Sequence, residues 1–380
     1  MRRDVELALL DRAQHLASSG DKDVVATEHR RPVASYLDPA RFAAERALLG
    51  RLPVVVAASG ELASPGDFVT HDASGMPLLL ARGEDGRVRV FLNVCRHRGS
   101  RLVGTTGGTE RGCRRSFVCR YHAWSYGCDG ALRSLPDRAH FPSLEAEPRG
   151  LAELPAEERH GLVWTVTTPG AQLDLDAWLG PLDDDLAALG LGAHRPYRPT
   201  VMEKRLNWKL AFDVFLEAYH LKYAHARSIY KYFIDNLGLF ERVGRHMRNL
   251  FPKRSVLDPD FTDRSVIKLR HHANILYTLF PNTLVLVQPD HVTLFQVWPT
   301  DLDRTRVVAS TLLPPEPAHD TDYWDKNVDI LLGAVDEDYA LGESIQEGLA
   351  SGANSELLFG RSEQSLAWFH EEVEHLLAQK

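Results

Sequence analysis

The chain has 380 residues, of which 44% are hydrophobic and 25% charged, and its formal net charge is −8 at pH 7. This length allows two hydrophobic cores, and the composition is that of a globular protein. The negative charge argues against a nucleic-acid partner, which would require a basic surface. Because no run approaches the roughly 20 apolar residues of a membrane span, we expect no membrane insertion.

Two helices are predicted in the first part of the chain. Residues 4–18 carry apolar side chains at helical spacing, and Pro39 opens a second helix that extends to about Leu49. The charged, amphipathic start lacks the apolar core of a signal peptide, so we expect no export signal and a cytoplasmic location. We assign residues 1–50 to a helical segment that packs on a larger domain.

Short strands alternate with turns from residue 51 to residue 166. The strand candidates are Val54–Ala57, Phe68–Thr70, Leu78–Ala81 and Val88–Leu92. The turn pairs are Pro65-Gly66, Ser74-Gly75, Asp85-Gly86, Asp129-Gly130 and His160-Gly161. This pattern predicts an all-β domain. The glycine-rich segment 104–108 lacks the G-x-G-x-x-G spacing, so we interpret it as a loop and not as a dinucleotide site.

Four potential metal ligands lie in two short segments of this domain. Cys95 and His97 form a C-x-H motif, and twenty-one residues later Cys119 and His122 form a C-x-x-H motif. Zinc fingers usually take both cysteines from one segment and both histidines from another. Because each segment here provides one of each, the pattern favours a [2Fe-2S] cluster with both cysteines on one iron and both histidines on the other. The alternatives are a zinc knuckle and unrelated thiols of the core.

The flanking residues carry a family resemblance. The string NVCRHRG…CRYHAWSYGCDGAL resembles the Rieske domain of ring-hydroxylating oxygenases. Arg120 stands where this family often has proline, and Ala123 stands where it usually has glycine. The methyl group of Ala123 falls in a tight loop, where we expect altered packing but no loss of a ligand. The other two cysteines, Cys113 and Cys128, are interpreted as buried thiols, with a disulfide between them as the alternative.

The composition changes near residue 167, where an acidic linker begins. The strand candidates beyond it are Thr200–Lys204, Ala273–Phe280, Thr283–Gln288, Thr293–Pro299 and Arg306–Leu313. A long helix is predicted from about Asn207, and the tail from Asp322 is predicted to be helical. Long helices against an antiparallel sheet indicate an α+β domain over residues 167–380. The resemblance implies a helix-grip fold for it.

A second constellation begins with His220 and His225. Five residues of ideal helix rotate through about 500°, which would leave the two rings about 140° apart. Both can reach one metal only if the helix bulges or ends between Leu221 and Ala224. Taken alone, this spacing fits an ordinary amphipathic helix.

The surrounding string NWK…DVFLEAYHLKYAH resembles the catalytic helix of the same family. The resemblance implies that His220, His225 and Asp338 bind a mononuclear Fe(II) and leave positions open for O2 and substrate. Asp336 is the nearest competitor for the carboxylate ligand. Val214 stands where many relatives carry asparagine, so any electron-transfer role of that asparagine is absent or relocated.

The resemblance also implies a catalytic role for Glu217. Its carboxylate is expected to accept hydrogen bonds from His220 and from His122 of a neighbouring subunit. Such a contact requires a head-to-tail ring, for which we expect a homotrimer.

The resemblance implies the terminal oxygenase alpha subunit of a Rieske non-heme iron oxygenase. Electrons from NAD(P)H would arrive through a separate ferredoxin or reductase, pass the cluster and reach the Fe(II). There O2 would be used, by mono- or dioxygenation, to hydroxylate an aromatic or other apolar organic substrate. Because Glu217 also resembles the branch of N-demethylases and choline-type monooxygenases, oxidation of a quaternary ammonium or methylated compound is the alternative. Remoter alternatives are an electron carrier and a ligand-binding protein without catalysis.

The substrate pocket is expected beside the second metal site. Its walls are predicted to come from the segment Ile229–Phe251 and from strands near Leu276, Leu284 and Phe295. Three nearby cations, Lys222, Arg227 and Lys231, could bind a substrate carboxylate, although solvent exposure is the simpler interpretation.

Overall fold

The structure is a computed structural model of the chain that describes residues 1–72, 75–105, 108–146, 149–258 and 264–379. The helices are α1 (Arg3–Ser19), α2 (Ala34–Leu37), α3 (Pro39–Leu49), α4 (Leu175–Leu179), α5 (Asp183–Leu189), α6 (Leu210–Asp213), α7 (Leu221–Ala224), α8 (Leu269–His272), α9 (Thr321–Ala350) and α10 (Gln364–Ala378).

The strands are β1 (His29–Pro32), β2 (Val54–Ala58), β3 (Asp67–His71), β4 (Leu78–Arg82), β5 (Val88–Leu92), β6 (Arg111–Cys113), β7 (Ser116–Val118), β8 (Ser125–Gly127), β9 (Leu132–Ser134), β10 (Glu153–Leu154), β11 (Ala156–Arg159), β12 (Leu162–Thr165), β13 (Arg195–Lys204), β14 (Leu239–Val243), β15 (His246–Pro252), β16 (Ala273–Leu279), β17 (Thr283–Val287), β18 (Val292–Asp301), β19 (Arg304–Leu313) and β20 (Glu356–Phe359). Within the described ranges, none of the helices is both long and apolar enough to cross a bilayer.

The chain forms two compact units, which we name the small unit and the large unit. The small unit contains Leu49–Trp178 and Gly190–Arg195. The large unit contains Met1–Leu48, Leu179–Leu189 and Pro196–Lys380.

The small unit is built from antiparallel sheets. One sheet has the order β10-β5-β4-β3-β6, and two three-stranded sheets have the orders β11-β12-β2 and β7-β8-β9. The predicted Asp129-Gly130 turn joins β8 to β9, and Gly130 has φ of +79°. A Cβ atom there would lie 2.5 Å from the Phe91 ring, so this turn requires glycine for both conformation and space.

The large unit is organised around a seven-stranded antiparallel sheet of order β13-β19-β18-β17-β16-β15-β14. The 30-residue helix α9 buries a stripe of side chains that includes Val335, Asp338 and Tyr339. Gly342 allows this helix to approach the chain before α6, because a Cβ atom there would lie 2.9 Å from Leu206 Cδ2. The α+β class predicted for this part of the chain is confirmed.

The predicted strands are present with shifted ends, the largest shift being at β13, which begins at Arg195 and not at Thr200. Of the helix predictions, one is wrong, and the helical tail is confirmed with one interruption. The expected long helix from Asn207 consists of two single turns, α6 and α7, separated by irregular backbone. The tail is also interrupted, because β20 lies between α9 and α10 and pairs with β1. Strands β14 and β15 were not predicted. Their burial does not alternate regularly, and both β15 faces contain buried residues. The predicted turn residue Ser74 and residues 106–107 lie outside the described residues.

Candidate metal centres and substrate pocket

Two tight loops present the predicted cluster ligands of the small unit. In the first, the Cys95 amide donates to the Ser100 carbonyl at 2.8 Å, and the Gly99 amide donates to the Cys95 carbonyl at 3.0 Å. In the second, which joins β7 to β8, the Cys119 amide donates to the Trp124 carbonyl at 2.8 Å. Each loop therefore closes on its own cysteine, which fixes where the thiol and the following histidine emerge.

The two predicted histidine ligands lie side by side, and the two predicted cysteine ligands are buried in one hydrophobic core. The rings of His97 and His122 are 4.8 Å apart, and the His97 ring stacks on Trp124. Cys95 and Cys119 are almost fully buried. The Tyr126 hydroxyl lies 3.4 Å from the Cys95 sulfur. Burial, followed by the effects of both thiols, raises the pKa of Tyr126, so this hydroxyl remains a hydrogen-bond donor.

This donor set fits a [2Fe-2S] group held by two thiolates and two imidazoles. Among the described residues, the buried Nδ1 atom of His122 has no hydrogen-bond partner. A buried ring nitrogen without a partner is costly unless it binds a metal, so the atom is suited to an iron ligand.

The two departures from the family pattern have different consequences. Ala123 adopts φ of +54°, a left-handed conformation that favours glycine, so the tight loop expected there is present. Its side chain and that of Arg120 are exposed, and neither displaces a ligand. The prediction of two further buried thiols is half wrong. Both are free thiols, but Cys113 is exposed while Cys128 is buried.

In the large unit, the backbone around the two predicted iron histidines satisfies the condition set by their spacing. Helix α7 begins directly after His220 and ends before His225. The Ala224 amide still donates to the His220 carbonyl at 2.9 Å, whereas His225 leaves helical geometry with φ of −104°. This exit allows both rings to turn toward one point.

That point is completed by Asp338 from α9. Its Oδ1 atom lies 2.8 Å from His225 Nε2 and 3.4 Å from His220 Nε2. One ligand atom from each of the three residues lies within 4.8 Å of the others. Asp336, the competing carboxylate, is exposed and pairs with Lys204 at 2.8 Å, so it does not join this group.

A second carboxylate orients each histidine from its other ring nitrogen. His220 Nδ1 contacts Glu217 Oε1, and the His220 amide donates to Glu217 Oε2 at 3.1 Å. His225 Nδ1 donates to Glu337 Oε2 at 2.6 Å, and the Ser228 hydroxyl donates to the same oxygen at 2.6 Å. Such outer carboxylates hold both Nε2 atoms toward the metal position. Sequence reasoning missed Glu337, and its only signal was its position beside Asp338.

The electrostatics of this group favour a cation. Burial lowers the pKa of His220, but hydrogen bonds and charge interactions with Asp338 and Glu217 outweigh it and raise the pKa to about 10. Burial likewise opposes protonation of His225, but interactions with Asp338 and Glu337 outweigh it, so the pKa of His225 is also raised. Asp338 Oδ1 is buried, and the Nε2 atoms of both histidines face it. Two imidazoles and a carboxylate converging in this way fit a mononuclear iron.

An apolar cleft of about 570 Å³ lies beside the three ligands, and we name it the inner pocket. Besides the ligands and Glu217, it is lined by Val214, Phe215, Leu221, Ile229, Phe233, Phe251, Asn274, Leu276, Leu286, Leu331, Ala334 and Val335. Leu276 and the ends of the segment Ile229–Phe251 line it as predicted. Leu284 and Phe295 do not, since Phe295 packs behind Phe215 at 5.3 Å.

The three cations proposed to bind a carboxylate do not line the inner pocket. Lys222, Arg227 and Lys231 are exposed, and Lys222 pairs with Asp235 at 3.0 Å. The simpler interpretation of these residues is therefore correct.

Glu217 also lines a second cleft, which opens to the surface. Three exposed apolar side chains stand around it, Leu341 (47% exposed), Ile345 (42%) and Leu358 (55%). Exposed apolar clusters of this kind are typical of protein contacts.

Two family models match the chain. The family described as "Ring hydroxylating alpha subunit (catalytic domain)" matches residues 191–379, and "Rieske [2Fe-2S] domain" matches residues 53–145. Together they cover most of the chain.

Curated relatives match over different lengths. The large oxygenase component of the naphthalene 1,2-dioxygenase system of Ralstonia sp. is 35% identical over 176 residues, 44% of this chain and 38% of that protein. The alignment therefore spans less than two fifths of this relative. The carnitine monooxygenase oxygenase subunit of Acinetobacter baumannii is 27% identical over 92% of this chain and 94% of that protein. Chloroplastic choline monooxygenase of Spinacia oleracea is 28% identical over 86% of this chain and 73% of that protein.

Solved structures share the fold. A quaternary ammonium Rieske monooxygenase in complex with L-carnitine superposes with a TM-score of 0.77 at 22% identity, covering 97% of this chain and 99% of that chain. Naphthalene 1,2-dioxygenase from Rhodococcus sp. gives a TM-score of 0.76 at 19% identity, covering 98% of each chain. At these identities the likeness establishes architecture and leaves substrate open.

Proposed function

Because the chain belongs to the Rieske oxygenase alpha subunits, whose two domains imply a [2Fe-2S] cluster and a mononuclear iron, we propose that it is the terminal component of an oxygenase system. The observation that carries this proposal is the convergence of His220, His225 and Asp338 beside an apolar pocket. An electron carrier would need only the small unit. A binding protein would need no converging ligand set.

Seven residues would hold the two groups. Cys95, His97, Cys119 and His122 would hold the cluster, and His220, His225 and Asp338 would hold Fe(II). When bound, the cluster supplies single electrons and the iron activates O2.

The chain's own contribution is orientation and exclusion of water. Glu217 and Glu337 accept the Nδ1 hydrogens of His220 and His225, which fixes the tautomer that leaves each Nε2 free to bind metal. The inner pocket surrounds the reacting position with aliphatic and phenylalanine side chains. A dry pocket strengthens electrostatic interactions and limits side reactions with water.

A homotrimer would bring the cluster of one subunit to Glu217 of the next. The exposed apolar cleft at Glu217 and the exposed Tyr121 beside His122 support such a contact. For the solved quaternary ammonium monooxygenase, inter-subunit electron transfer has been described. Electrons would come ultimately from NAD(P)H through a separate ferredoxin or reductase. We place the protein in the cytoplasm, which suits the two free thiols outside the cluster motif, Cys113 and Cys128.

The lining of the inner pocket favours hydroxylation of an aromatic or other apolar compound. Phe215, Phe233 and Phe251 offer ring surfaces, and Asn274 is the only polar residue of the described lining besides Glu217 and the three proposed iron ligands. The second candidate is monooxygenation or demethylation of a quaternary ammonium or methylated compound, favoured by the nearly full-length match to carnitine monooxygenase. The described lining contains no tryptophan or tyrosine, so cation–π recognition would depend on phenylalanine alone.

A single-turnover assay tests the proposal. The protein is reduced without oxygen, mixed with one aromatic compound or one methylated amine, and exposed to O2 while the cluster spectrum and product mass are followed. A product heavier by oxygen from the aromatic compound supports hydroxylation, whereas an oxygenated or demethylated product from the methylated amine supports the second candidate. If neither forms and the chain holds about two irons instead of about three, the mononuclear site is contradicted.

A further inference from the structure

The inner pocket continues into a second, polar chamber, which we name the outer chamber. This cleft of about 870 Å³ shares Ile229, Phe233, Asn274, Leu331 and Ala334 with the inner pocket. Its own lining includes Lys253, Gln288, Asp290, His291, Tyr323 and Asn327. A ligand that touches the shared residues can therefore extend from the iron ligands into a polar environment.

Strand β15 and the residue after it place Lys253 at this junction. Phe251 lines the inner pocket and Lys253 lines the outer chamber. Residues two positions apart in extended chain point to the same side, which explains why the two follow one another along the cleft. The backbone of Lys253 bridges to Phe233, whose side chain lines both cavities.

The charge of Lys253 is not neutralised by a direct ion pair within the described residues. The nearest candidate, Asp290, is engaged elsewhere, because it accepts from Tyr323 Oη at 2.6 Å and lies 2.6 Å from His291 Nδ1. Arg270, a second cation near Lys253, donates to the backbone carbonyls of Gln288 and His291. Lys253 and Arg270 therefore both interact with the charge of Asp290, and Lys253 lines the chamber without a direct ion pair among the described residues.

We propose that Lys253 is a specificity residue that binds the carboxylate of an organic acid substrate whose apolar part occupies the inner pocket. This inference rests on the proposed function and names the substrate class for it. A charge-assisted hydrogen bond in a half-buried chamber is stronger than one at the surface. It also replaces the interactions that Lys253 lacks, whereas the exposed Lys222, Arg227 and Lys231 gain little from an anion.

The ionisation of Lys253 agrees with this assignment. Burial lowers its pKa to about 8, with Asp290 acting in the opposite direction and Arg270 adding to the decrease. The other titratable groups of the chamber are Tyr232, His291 and Tyr323. An anion at Lys253 would stabilise the ammonium form that burial disfavours.

Calorimetric titration of the holoenzyme under anaerobic conditions tests the proposal. The probes are benzoate with benzamide, phenylacetate with phenylacetamide, and phenylpropionate with phenylpropionamide, so each pair differs only in charge and terminal group. We expect at least one acid to bind about tenfold or more tightly than its amide. The preference should disappear in Lys253→Met and Lys253→Gln, and should persist in the control Lys231→Met. Unchanged iron content and cluster spectrum establish that the variants are folded.

The results separate this inference from the proposed function. If no acid is preferred by the wild type, or if a folded Lys253 variant keeps the preference, the inference is overturned. If the acids bind through Lys253 but none yields an oxygenated product, the anion site stands and aromatic acid hydroxylation is contradicted. If amides and acids are oxygenated equally and Lys253→Met has no effect, the oxygenase function stands and the role of Lys253 is rejected.

Discussion

The two proposed metal centres of the chain differ in how far apart their expected ligands lie in the sequence. The cluster ligands come from two loops of one small β unit, and each loop closes on itself through backbone hydrogen bonds. The iron ligands join two histidines around a single turn of helix to an aspartate on a helix more than a hundred residues later. A local site depends on loop geometry, whereas a dispersed site depends on packing of the whole unit.

The largest expected effect is the selective loss of one metal group by a single substitution, with the other group retained. Cys119→Ser should abolish the cluster spectrum and retain the mononuclear iron, because the two ligand sets share no residue. His220→Ala should do the reverse, and both should abolish turnover. Iron analysis and visible spectra of the purified variants measure this. Loss of both metals in either variant would show that the centres are not independent.

The outer carboxylates should matter less than the ligands. Glu337→Gln removes the acceptor of His225 Nδ1, so we expect about a 10- to 100-fold loss of iron affinity or activity. Asp336→Asn is the matched control, since this neighbour is exposed and pairs with Lys204. Iron titration of both variants distinguishes them. An equal loss in the control would return Asp336 to consideration as a ligand.

The affinity for acids should depend on pH through the titration of Lys253 in the large unit. The pKa of Lys253 is lowered to about 8, so its cation is complete well below pH 8 and is lost as the pH rises through that value. Between pH 7 and pH 9 the affinity for an aryl acid should fall about tenfold, while that for its amide stays constant. Titrations at several pH values measure both. A flat profile for the acid would contradict the assignment.

The smallest expected effect concerns the backbone of the cluster loop. Ala123→Gly removes the backbone strain of a side chain in the left-handed conformation at φ of +54°. Part of this stabilisation is offset, because glycine has greater conformational entropy in the unfolded chain. We expect the free energy of unfolding of the small unit to rise by about 0.5 kcal/mol. Ala63→Gly, at an exposed position with φ of −69°, should lower it by about 0.5–1 kcal/mol. Calorimetry compares the two, and the same sign for both would exclude backbone strain at Ala123.

Much of the small unit and of its site could be predicted from the sequence. Period-two patterns separated by glycine turns identify strands directly, and ligands spaced within two short loops identify the cluster because the chemistry is local. The end of the helix before His225 could also be predicted on the condition that both histidines bind one metal, since a continuous helix would separate the two rings. The position of Asp338 came from resemblance alone.

The tertiary structure decided what depends on distant segments meeting. Glu337, Asn274 and Lys253 have no local motif, and their positions follow from the meeting of distant elements around the iron site and the two cavities. The predicted long helix is wrong because irregular backbone separates α6 from α7, which helix propensity does not anticipate. The sequence by itself determined the ligand types and the α+β fold class. Packing alone decided which carboxylates orient the histidines and which cation faces the substrate.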